Sequence, residues 1–177
     1  SNAGVVATDT TGVGTARSET LAAAGYGGDK AIFGFGRLTN LRTNITNLVS
    51  NTGVVATDTT GVGTARYGLA ASGYGGDKAI FGFGGDTNVT NLVSNTGVVA
   101  SDTTGVGTAR YGLAAAGFGG DKAIFGFGYD GSAGGDYSNQ WSNLTNLVSN
   151  TGVVASDTTG VGTGRQSLAA AGYSTTA

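Results

Sequence analysis

Residues 77–84 read DKAIFGFG, and the same eight letters stand at residues 29–36 and 121–128. A Gly-Gly pair precedes each copy, and Gly-Gly-Asp is a sequence that favours a tight turn. The letters that follow are apolar on both faces, as in a strand buried within packed sheets. The phrase therefore predicts the second strand of a β-hairpin, formed three times in the chain.

The repetition extends beyond this phrase. Residues 47–84 and 91–128 align without a gap and differ at three positions only. A third copy covers residues 4–36 and lacks its start, and a fourth covers residues 146–173 and lacks DKAIFGFG. An invariant block of 38 residues predicts an array of equal structural units.

Every large change in length falls between the blocks. The intervening text is RLTNLRTNIT at residues 37–46, GDTNVT at residues 85–90 and YDGSAGGDYSNQWSNLT at residues 129–145. Exposed loops tolerate insertions that packed units do not. We therefore expect three loops of different length on an otherwise constant scaffold.

Four short strands are predicted in each unit. Those read from the later part of the chain are residues 110–119, 122–128, 146–155 and 156–165. Helix is a poor fit, because Gly, Thr and β-branched residues dominate and no helical periodicity persists. Four-stranded units of this length are typical of an all-β fold, the β-propeller, in which an invariant block of about 38 residues and its variable loop form one blade. The alternative is a β-solenoid with two coils in each repeat.

Small residues predict which strand lies nearest the axis. The LAAA stretch fits the innermost strand of a blade, where neighbouring strands crowd together and larger side chains would clash. The Ile and Phe of AIFGFG are then expected to be buried between adjacent blades.

The composition excludes several classes of protein. The chain has 177 residues with no Cys, Met or His, so it offers no disulfide, sulfur ligand or imidazole. A net charge of −2 provides no basic stripe for nucleic acid. No apolar run approaches the roughly 20 residues of a membrane span. The single Glu and the repeated Asp residues do not form the asymmetric constellation of a catalytic site, so we expect no enzymatic activity.

Residues 65–85, ARYGLAASGYGGDKAIFGFGG, resemble a kelch repeat. That pattern has an Arg before the first strand, small residues along it and an apolar second strand that closes on a double Gly; Arg66 and Gly84-Gly85 stand at those places. The Trp of later kelch strands is missing from every block, and one of the three copies keeps the double Gly. The regulator-of-chromosome-condensation type of propeller repeat fits nearly as well. The resemblance implies a propeller whose loop-bearing face binds partners.

Residues 46–84 also resemble repeats in predicted structural proteins of marine tailed bacteriophages. The resemblance rests on the whole phrase TNLVSNTGVVATDTTGVGTARYGL and the hairpin that follows it. It implies a component of the virion, such as a tail or host-contact module.

The repeat boundaries predict the domain organisation. Residues 1–3, Ser-Asn-Ala, look like the scar of a cleaved affinity tag, and residues 4–177 are expected to form one repeat domain. Its blades are residues 17–65, 66–109 and 110–164, with a further blade split between residues 4–16 and 165–177. The ring closes within the chain, joins a second chain into about eight blades, or belongs to a longer array. In the last two cases we expect self-association through the terminal blade edges.

The third loop holds the candidate binding residues. They are Tyr129, Asp130, Asp136, Tyr137, Gln140 and Trp141. Exposed aromatic side chains beside short polar ones suit contact with a protein or a glycan. The alternative is that Trp141 and Tyr137 fold back over a blade edge. The acidic residues lack the alternating spacing of a calcium loop, so neither a metal nor a cofactor is expected.

One Arg recurs at the start of every unit. Its copies are Arg17, Arg66, Arg110 and Arg165. These side chains either ring the axis and hold an anion, or hydrogen-bond the backbone or the repeated Asp of a neighbouring blade. That Asp lies in the sequence DTTG, where a side chain that caps its own turn is expected.

Two functions remain open. In the first, the protein is a binding module whose variable loops contact a host glycan or protein. In the second, it is a purely structural scaffold or fibre segment without a ligand.

Overall fold

The structure is a computed structural model, and it describes residues 8–9, 11–18, 20–131 and 140–172. Within these residues it is all-β, as predicted, with eleven strands and no α-helix. The strands are β1 (Ala22–Tyr26), β2 (Lys30–Gly34), β3 (Arg37–Leu38), β4 (Leu41–Arg42), β5 (Thr46–Val49), β6 (Ala70–Tyr74), β7 (Lys78–Gly82), β8 (Thr90–Val93), β9 (Ala114–Phe118), β10 (Lys122–Gly126) and β11 (Thr145–Val148).

Nine of these strands form three antiparallel sheets of the same design. The strand orders are β1-β2-β5 in the first sheet, β6-β7-β8 in the second and β9-β10-β11 in the third. The DKAIFGFG strand is central in each sheet, with the Ala-rich strand on one side and the TNLV strand on the other. A small hairpin, β3-β4, lies in the first variable loop.

The Gly-Gly-Asp turn closes the hairpin as the sequence predicts. Tyr74 pairs with Lys78 across the turn. Gly75 has φ +62° and Gly76 has φ +81°, both left-handed values that glycine adopts without strain. The equivalent glycines of the first and third sheets have nearly the same angles, so one phrase produces one turn three times.

The structure has three strands in each of these sheets instead of the predicted four. The third strand is shorter than predicted, and the fourth does not form as a strand. The third strand ends at Val148 because the chain turns at Ser149, whose backbone N–H donates to the carbonyl of Val153 at 2.9 Å. The Ser149 hydroxyl accepts the Val153 N–H at 3.1 Å and closes the same turn. The returning chain then pairs with β11 at isolated bridges instead of a continuous strand. These bridges are Val148–Val154 and Thr145–Thr158.

The sheets pack face to face in chain order. The second sheet lies against both others, with β6 beside β1 and β9. One apolar core lies between the first and second sheets, and another lies between the second and third. The rings of Phe35 and Phe81 meet at 5.1 Å between centroids, and those of Phe83 and Phe125 at 5.3 Å. The predicted burial of the repeated Ile and Phe between units is therefore confirmed at these two interfaces.

A glycine in each central strand leaves room for a phenylalanine of the next sheet. A Cβ atom at Gly82 would lie 2.6 Å from Cζ of Phe125, and one at Gly34 would lie 2.9 Å from Cζ of Phe81. Both distances are shorter than carbon atoms tolerate. The first Phe of one copy therefore fills the space beside the first Gly of the preceding copy, and this is a physical reason why the phrase recurs unchanged.

The first and third sheets each have one open face. Phe33 is 37% exposed, whereas its equivalents Phe81 and Phe125 are fully buried. At the other end, a Cβ atom at Gly126 would meet, among the described atoms within 4 Å, only Cγ2 of Thr145 at 3.3 Å. Among the three sheets formed by the described residues 20–131 and 140–148, the second packs against another sheet on both faces.

Replacing Gly82 with Ala is expected to lower the free energy of unfolding by about 1–3 kcal/mol, because the added methyl group overpacks the contact with Phe125. The matched control is Gly126→Ala, the same change at the same position of the repeat, and it should cost clearly less stability than Gly82→Ala, because its Cβ atom would lie 3.3 Å from Thr145 Cγ2 instead of 2.6 Å from a ring carbon. Urea unfolding at low protein concentration measures both. Equal losses in the two variants would contradict the packing described above.

Candidate functional site

The described residues of the three variable loops lie beside one another and form one surface. Each connects the central strand of a sheet to its TNLV strand. The first and second loops touch where Arg42 Nη2 donates to Asp86 Oδ2 at 3.3 Å. The second and third loops contribute to one shallow cavity of about 250 Å³, which is lined by Gly85, Asp86, Ala109, Asp130 and Gly131. We call this surface, with residues 37–45, 85–89, 129–131, 140–144 and the adjoining Tyr67 and Tyr111, the loop face.

A row of aromatic rings crosses the loop face. The ring centroids of Tyr67 and Tyr111 are 6.2 Å apart, and those of Tyr111 and Tyr129 are 4.9 Å apart. The backbone of Tyr129 forms bridges to both Tyr111 and Trp141. Tyr67 and Tyr111 are half-buried. The row is therefore packed along its length but keeps aromatic edges at the surface.

Two arginines of the first loop lie at one end of this row. Arg37 Cζ is 5.1 Å and Arg42 Cζ is 5.2 Å from the ring centroid of Tyr67. Such a cation–π contact contributes about 0.5–1 kcal/mol at an exposed position. The loop face thus has a cationic end at the first loop and an aromatic end at Trp141.

Four of the six predicted loop residues lie within the described part of the chain. Tyr129 and Gln140 are buried, and the Asp130 N–H donates to the Gln140 carbonyl at 2.8 Å. Trp141 is 44% exposed, so part of its ring is accessible. Asp136 and Tyr137 lie outside the described residues. Tyr129 and Gln140 therefore lie in the interior of the loop, whereas the side chain of Trp141 is partly exposed to solvent.

Sequence reasoning missed Tyr67 and Tyr111 as members of the loop face. Each follows the repeated Arg directly, inside the nearly invariant block. A signal was present, because the same position holds Ser18 in the first copy and Gln166 in the last. The aromatic ring is thus confined to the two interior units.

The two interior copies of the repeated arginine are buried. Arg66 and Arg110 have no exposed surface. Arg66 donates from Nε to the Phe83 carbonyl at 2.8 Å and from Nη1 to the Thr64 carbonyl at 3.0 Å. Its guanidinium also lies over the ring of Phe35 in the preceding sheet, with Cζ 4.3 Å from the centroid. These hydrogen bonds match the interpretation in which the repeated Arg bonds to the backbone. Because Arg66 and Arg110 are fully buried, neither guanidinium is accessible to a bound anion.

The first and last copies vary this arrangement. Arg17 donates from Nη1 to the Ile45 carbonyl at 2.9 Å. Arg165 is exposed, lies over the ring of Phe127 at 4.1 Å and donates to the Thr163 carbonyl at 3.2 Å. All four arginines therefore contact backbone carbonyls.

A buried asparagine connects Arg66 to the repeated Asp. Asn91 Oδ1 accepts from Arg66 Nη2 at 2.6 Å, and Asn91 Nδ2 donates to Asp102 Oδ1 at 2.9 Å. Asp102 also accepts the N–H of Thr64 at 3.0 Å and its hydroxyl at 2.6 Å. The expectation that this Asp caps its own turn is wrong, because it caps a segment 38 residues earlier.

We call this set of four residues the arginine cluster, and it occurs three times. The other two sets are Arg17, Asn47, Asp58 and Thr15, and Arg110, Asn146, Asp157 and Thr108. Sequence reasoning missed the asparagine, whose distance from the Arg changes with the length of the loop. The available signal was that Asn stands at the same place in every TNLV strand.

The arginine cluster contains opposite charges that compensate each other. Burial lowers the pKa of Arg66 to about 10, and the charge of Asp102 opposes this effect, so the guanidinium is still charged at neutral pH. Burial raises the pKa of the Asp102 carboxyl, but hydrogen bonds from Thr64 and Asn91 outweigh it and hold that pKa below its ordinary value. The cluster is thus an internally paired structural element.

The arginine cluster also holds a strained residue at the start of each loop. Phe83 has φ +61°, and its equivalents Phe35 and Phe127 have φ +63° and +64°. A bulky residue in the left-handed region costs about 1–3 kcal/mol. The Phe83 carbonyl accepts from Arg66, and its N–H donates to the Val89 carbonyl at 3.0 Å. The Arg therefore stabilises the bend at which the constant block ends and the variable loop begins.

A cavity of about 470 Å³ lies along the Ala-rich strands, away from the arginine clusters. Its lining includes Gly25, Gly73, Gly117, Gly172, Lys30, Lys78 and Lys122. Each lysine pairs with the Asp beside it in sequence, as Lys78 Nζ does with Asp77 at 2.8 Å. The charges along this cavity are therefore balanced.

No group of three or more acidic side chains within the described residues could hold a metal ion. None of the described segments forms a helix of the length and apolarity that a membrane crossing requires.

Comparison with known proteins adds no relative. No known protein family matches the chain, and no curated protein shows significant similarity to it.

Asn91→Ala is expected to lower the free energy of unfolding by about 2–4 kcal/mol, because it leaves a buried guanidinium and a carboxylate without their shared partner. Asn95→Ala is the matched control, since that side chain is exposed and bonds to Asp77 at 3.0 Å. It should change stability by less than about 1 kcal/mol. Thermal and urea unfolding test the difference, and a similar response of both variants would refute the role assigned to Asn91.

Proposed function

We propose that the protein is a non-enzymatic binding module of the β-propeller type, which presents its variable loops on one face for contact with a protein or a glycan. One observation carries this proposal: the three loops, which are the variable parts of the repeat, meet on the loop face. The constant blocks supply the scaffold below them. Function on such a scaffold resides in the loops.

The packing of the sheets supports a propeller. Strands β1, β6 and β9 are rich in Ala and Gly and lie side by side along the cavity of about 470 Å³. Residues 168–172 follow β9 in the same row, since Gly172 lies against the Gly117 carbonyl. Small residues are what strands near a propeller axis require. The strand ladders also lie within each repeat, whereas a solenoid would pair strands between coils.

The chemistry of the loop face suits a sugar ring or a partner side chain. Trp141 and Leu41 are 44% and 71% exposed, and the guanidinium groups of Arg37 and Arg42 lie over the ring of Tyr67. Exposed aromatic rings stack on the apolar faces of sugars and anchor protein contacts, while the guanidinium groups bind hydroxyl or carboxylate oxygens. The face thus offers both apolar and polar contacts.

Trp141→Ala is expected to abolish or strongly reduce binding on a glycan array or to a host-surface protein, because truncation of an aromatic anchor typically costs about 2 kcal/mol or more. Val98→Ala is the control, since Val98 is 66% exposed on a turn of the constant block. It should leave binding unchanged.

A second candidate function is a structural scaffold without a ligand. The internally paired arginine clusters favour it, because the repeated polar residues are used for folding. Wild-type protein that binds no glycan and no host protein, but assembles into larger particles, would support the scaffold and contradict the binding module. For either function the resemblance to marine phage repeats leads us to propose a place in the virion or its tail.

A compact disc is the expected solution shape. Small-angle scattering with a calibrated mass should give a pair-distance distribution of a flat, compact particle, because the sheets turn about a shared axis. A rod-like distribution, in which length increases with the number of repeats, would contradict the propeller and favour the solenoid.

A further inference from the structure

The same contact between consecutive sheets, a Phe packed beside a Gly, occurs twice among the described residues. Among the same residues, the first sheet and the third sheet each carry one of its two partners without the other. Between the first and second sheets, Phe81 fills the space beside Gly34; between the second and third, Phe125 fills the space beside Gly82. Within the described residues, Phe33 of the first sheet has no preceding sheet, and Gly126 of the third sheet has no complete following sheet.

The leading face is the open face of the first sheet, formed by Leu21, Ala23, Phe33 and Val49. Leu21 and Phe33 are each 37% exposed, and Ala23 is also exposed. The equivalents of these two large side chains in the second sheet, Leu69 and Phe81, are buried at 5% and 0%. The leading face thus carries the same apolar side chains that are buried on the equivalent face of the second sheet.

The trailing face is the outer face of the third sheet, where the exposed or half-buried side chains of Phe118, Ile124 and Leu147 surround the buried Gly126. Phe118 is 38% exposed, while the tyrosines at its position in the other sheets are 4% exposed. Ile124 is half-buried, whereas Ile32 and Ile80 are fully buried. The leading face and the trailing face therefore each provide one side of the same apolar contact.

We propose that a second copy of this chain docks its leading face on the trailing face. Phe33 of the second copy enters the space beside Gly126, as Phe125 enters the space beside Gly82. The turns meet in the same way: Gly27 N–H donates to the Asp77 carbonyl at 2.6 Å and Gly75 N–H to the Asp121 carbonyl at 2.7 Å. Gly119 and Asp29 of the second copy stand at the equivalent positions. The docking continues an interface that the chain already forms twice.

The last described residues of the chain occupy part of the docking site. Residues 168–172 read LAAAG, identical to residues 21–25. They follow Ser167, whose N–H donates to the Gly112 carbonyl at 2.8 Å, as Gly112 N–H does to Gly68. In the assembly the same five residues of the second copy take this place, so the tail competes with docking. Leu168→Asp should therefore strengthen association.

A head-to-tail contact of unlike faces repeats from copy to copy and produces a closed ring where the rotation allows it. This inference rests on the proposed propeller, and it identifies a second copy of the chain as the partner that adds further sheets to it. It involves the faces of the terminal sheets, and the loop face takes no part in it. Trp141→Ala should therefore leave association unchanged, which separates this test from that of the loop face.

Sedimentation equilibrium up to the highest soluble concentration tests the docking. Wild-type protein should reach integer multiples of the 17.2 kDa chain mass. Gly126→Ala and Phe33→Asp, one on each face, should each weaken association roughly tenfold or more. Both should keep the thermal transition of the wild type. If Gly126→Ala lowers it, Leu147→Asp on the same face replaces that variant, since Leu147 is 44% exposed.

Mixing the two variants identifies the geometry. The Phe33→Asp chain keeps its trailing face and the Gly126→Ala chain keeps its leading face, so an equimolar mixture should form a dimer of unlike chains and nothing larger. A wild-type protein that stays monomeric throughout overturns the proposal. So do variants that associate like the wild type, or a mixture that contains only monomers.

Discussion

The contact of a phenylalanine with a glycine of the preceding sheet sets the spacing of the units. A Cβ atom at Gly34 or Gly82 would reach within 3 Å of the next ring, so the sheets can approach this closely only because that atom is absent. The ring of one repeat and the glycine of its neighbour must therefore be kept together. Because every unit supplies both parts, a change in one copy disturbs an adjacent copy, and the phrase that encodes them is constant along the chain.

The second phenylalanine of the phrase connects this packing to the loops. Phe83 packs on Phe125 while its own backbone bends into the left-handed region, and Arg66 stabilises the bend through the Phe83 carbonyl. Asn91 accepts a hydrogen bond from that Arg and donates one to Asp102, whose carboxylate lies 3.9 Å from Arg66 Nη1. The bend is thus the same in each unit, and the described loop residues that follow it do not take part in the apolar packing between sheets. Loops of different length can leave the same scaffold for this reason, and they meet on one face.

Local features of the fold were predictable from the residues. Gly-Gly-Asp requires left-handed angles and produces the hairpin turn, and the apolar run after it becomes a central strand. Other features were not predictable. Thr and Val are common on both sides of Ser149, so their strand preference concealed the turn that the Ser149 hydroxyl closes. Asn91 lies 25 residues from Arg66 and 11 from Asp102, and no local pattern relates residues so far apart.

The amino-acid sequence by itself determined the repeat, the all-β class, the hairpin and the places where length may vary, because turn chemistry and strand preference act between neighbouring residues. The tertiary structure alone decided which residues meet: the ring beside the glycine of another sheet, the cluster of Arg, Asn, Asp and Thr, and the tyrosine row beneath the loops. These contacts join residues that are tens of positions apart, and they depend on how closely whole sheets approach each other, a distance that no single stretch of the chain encodes.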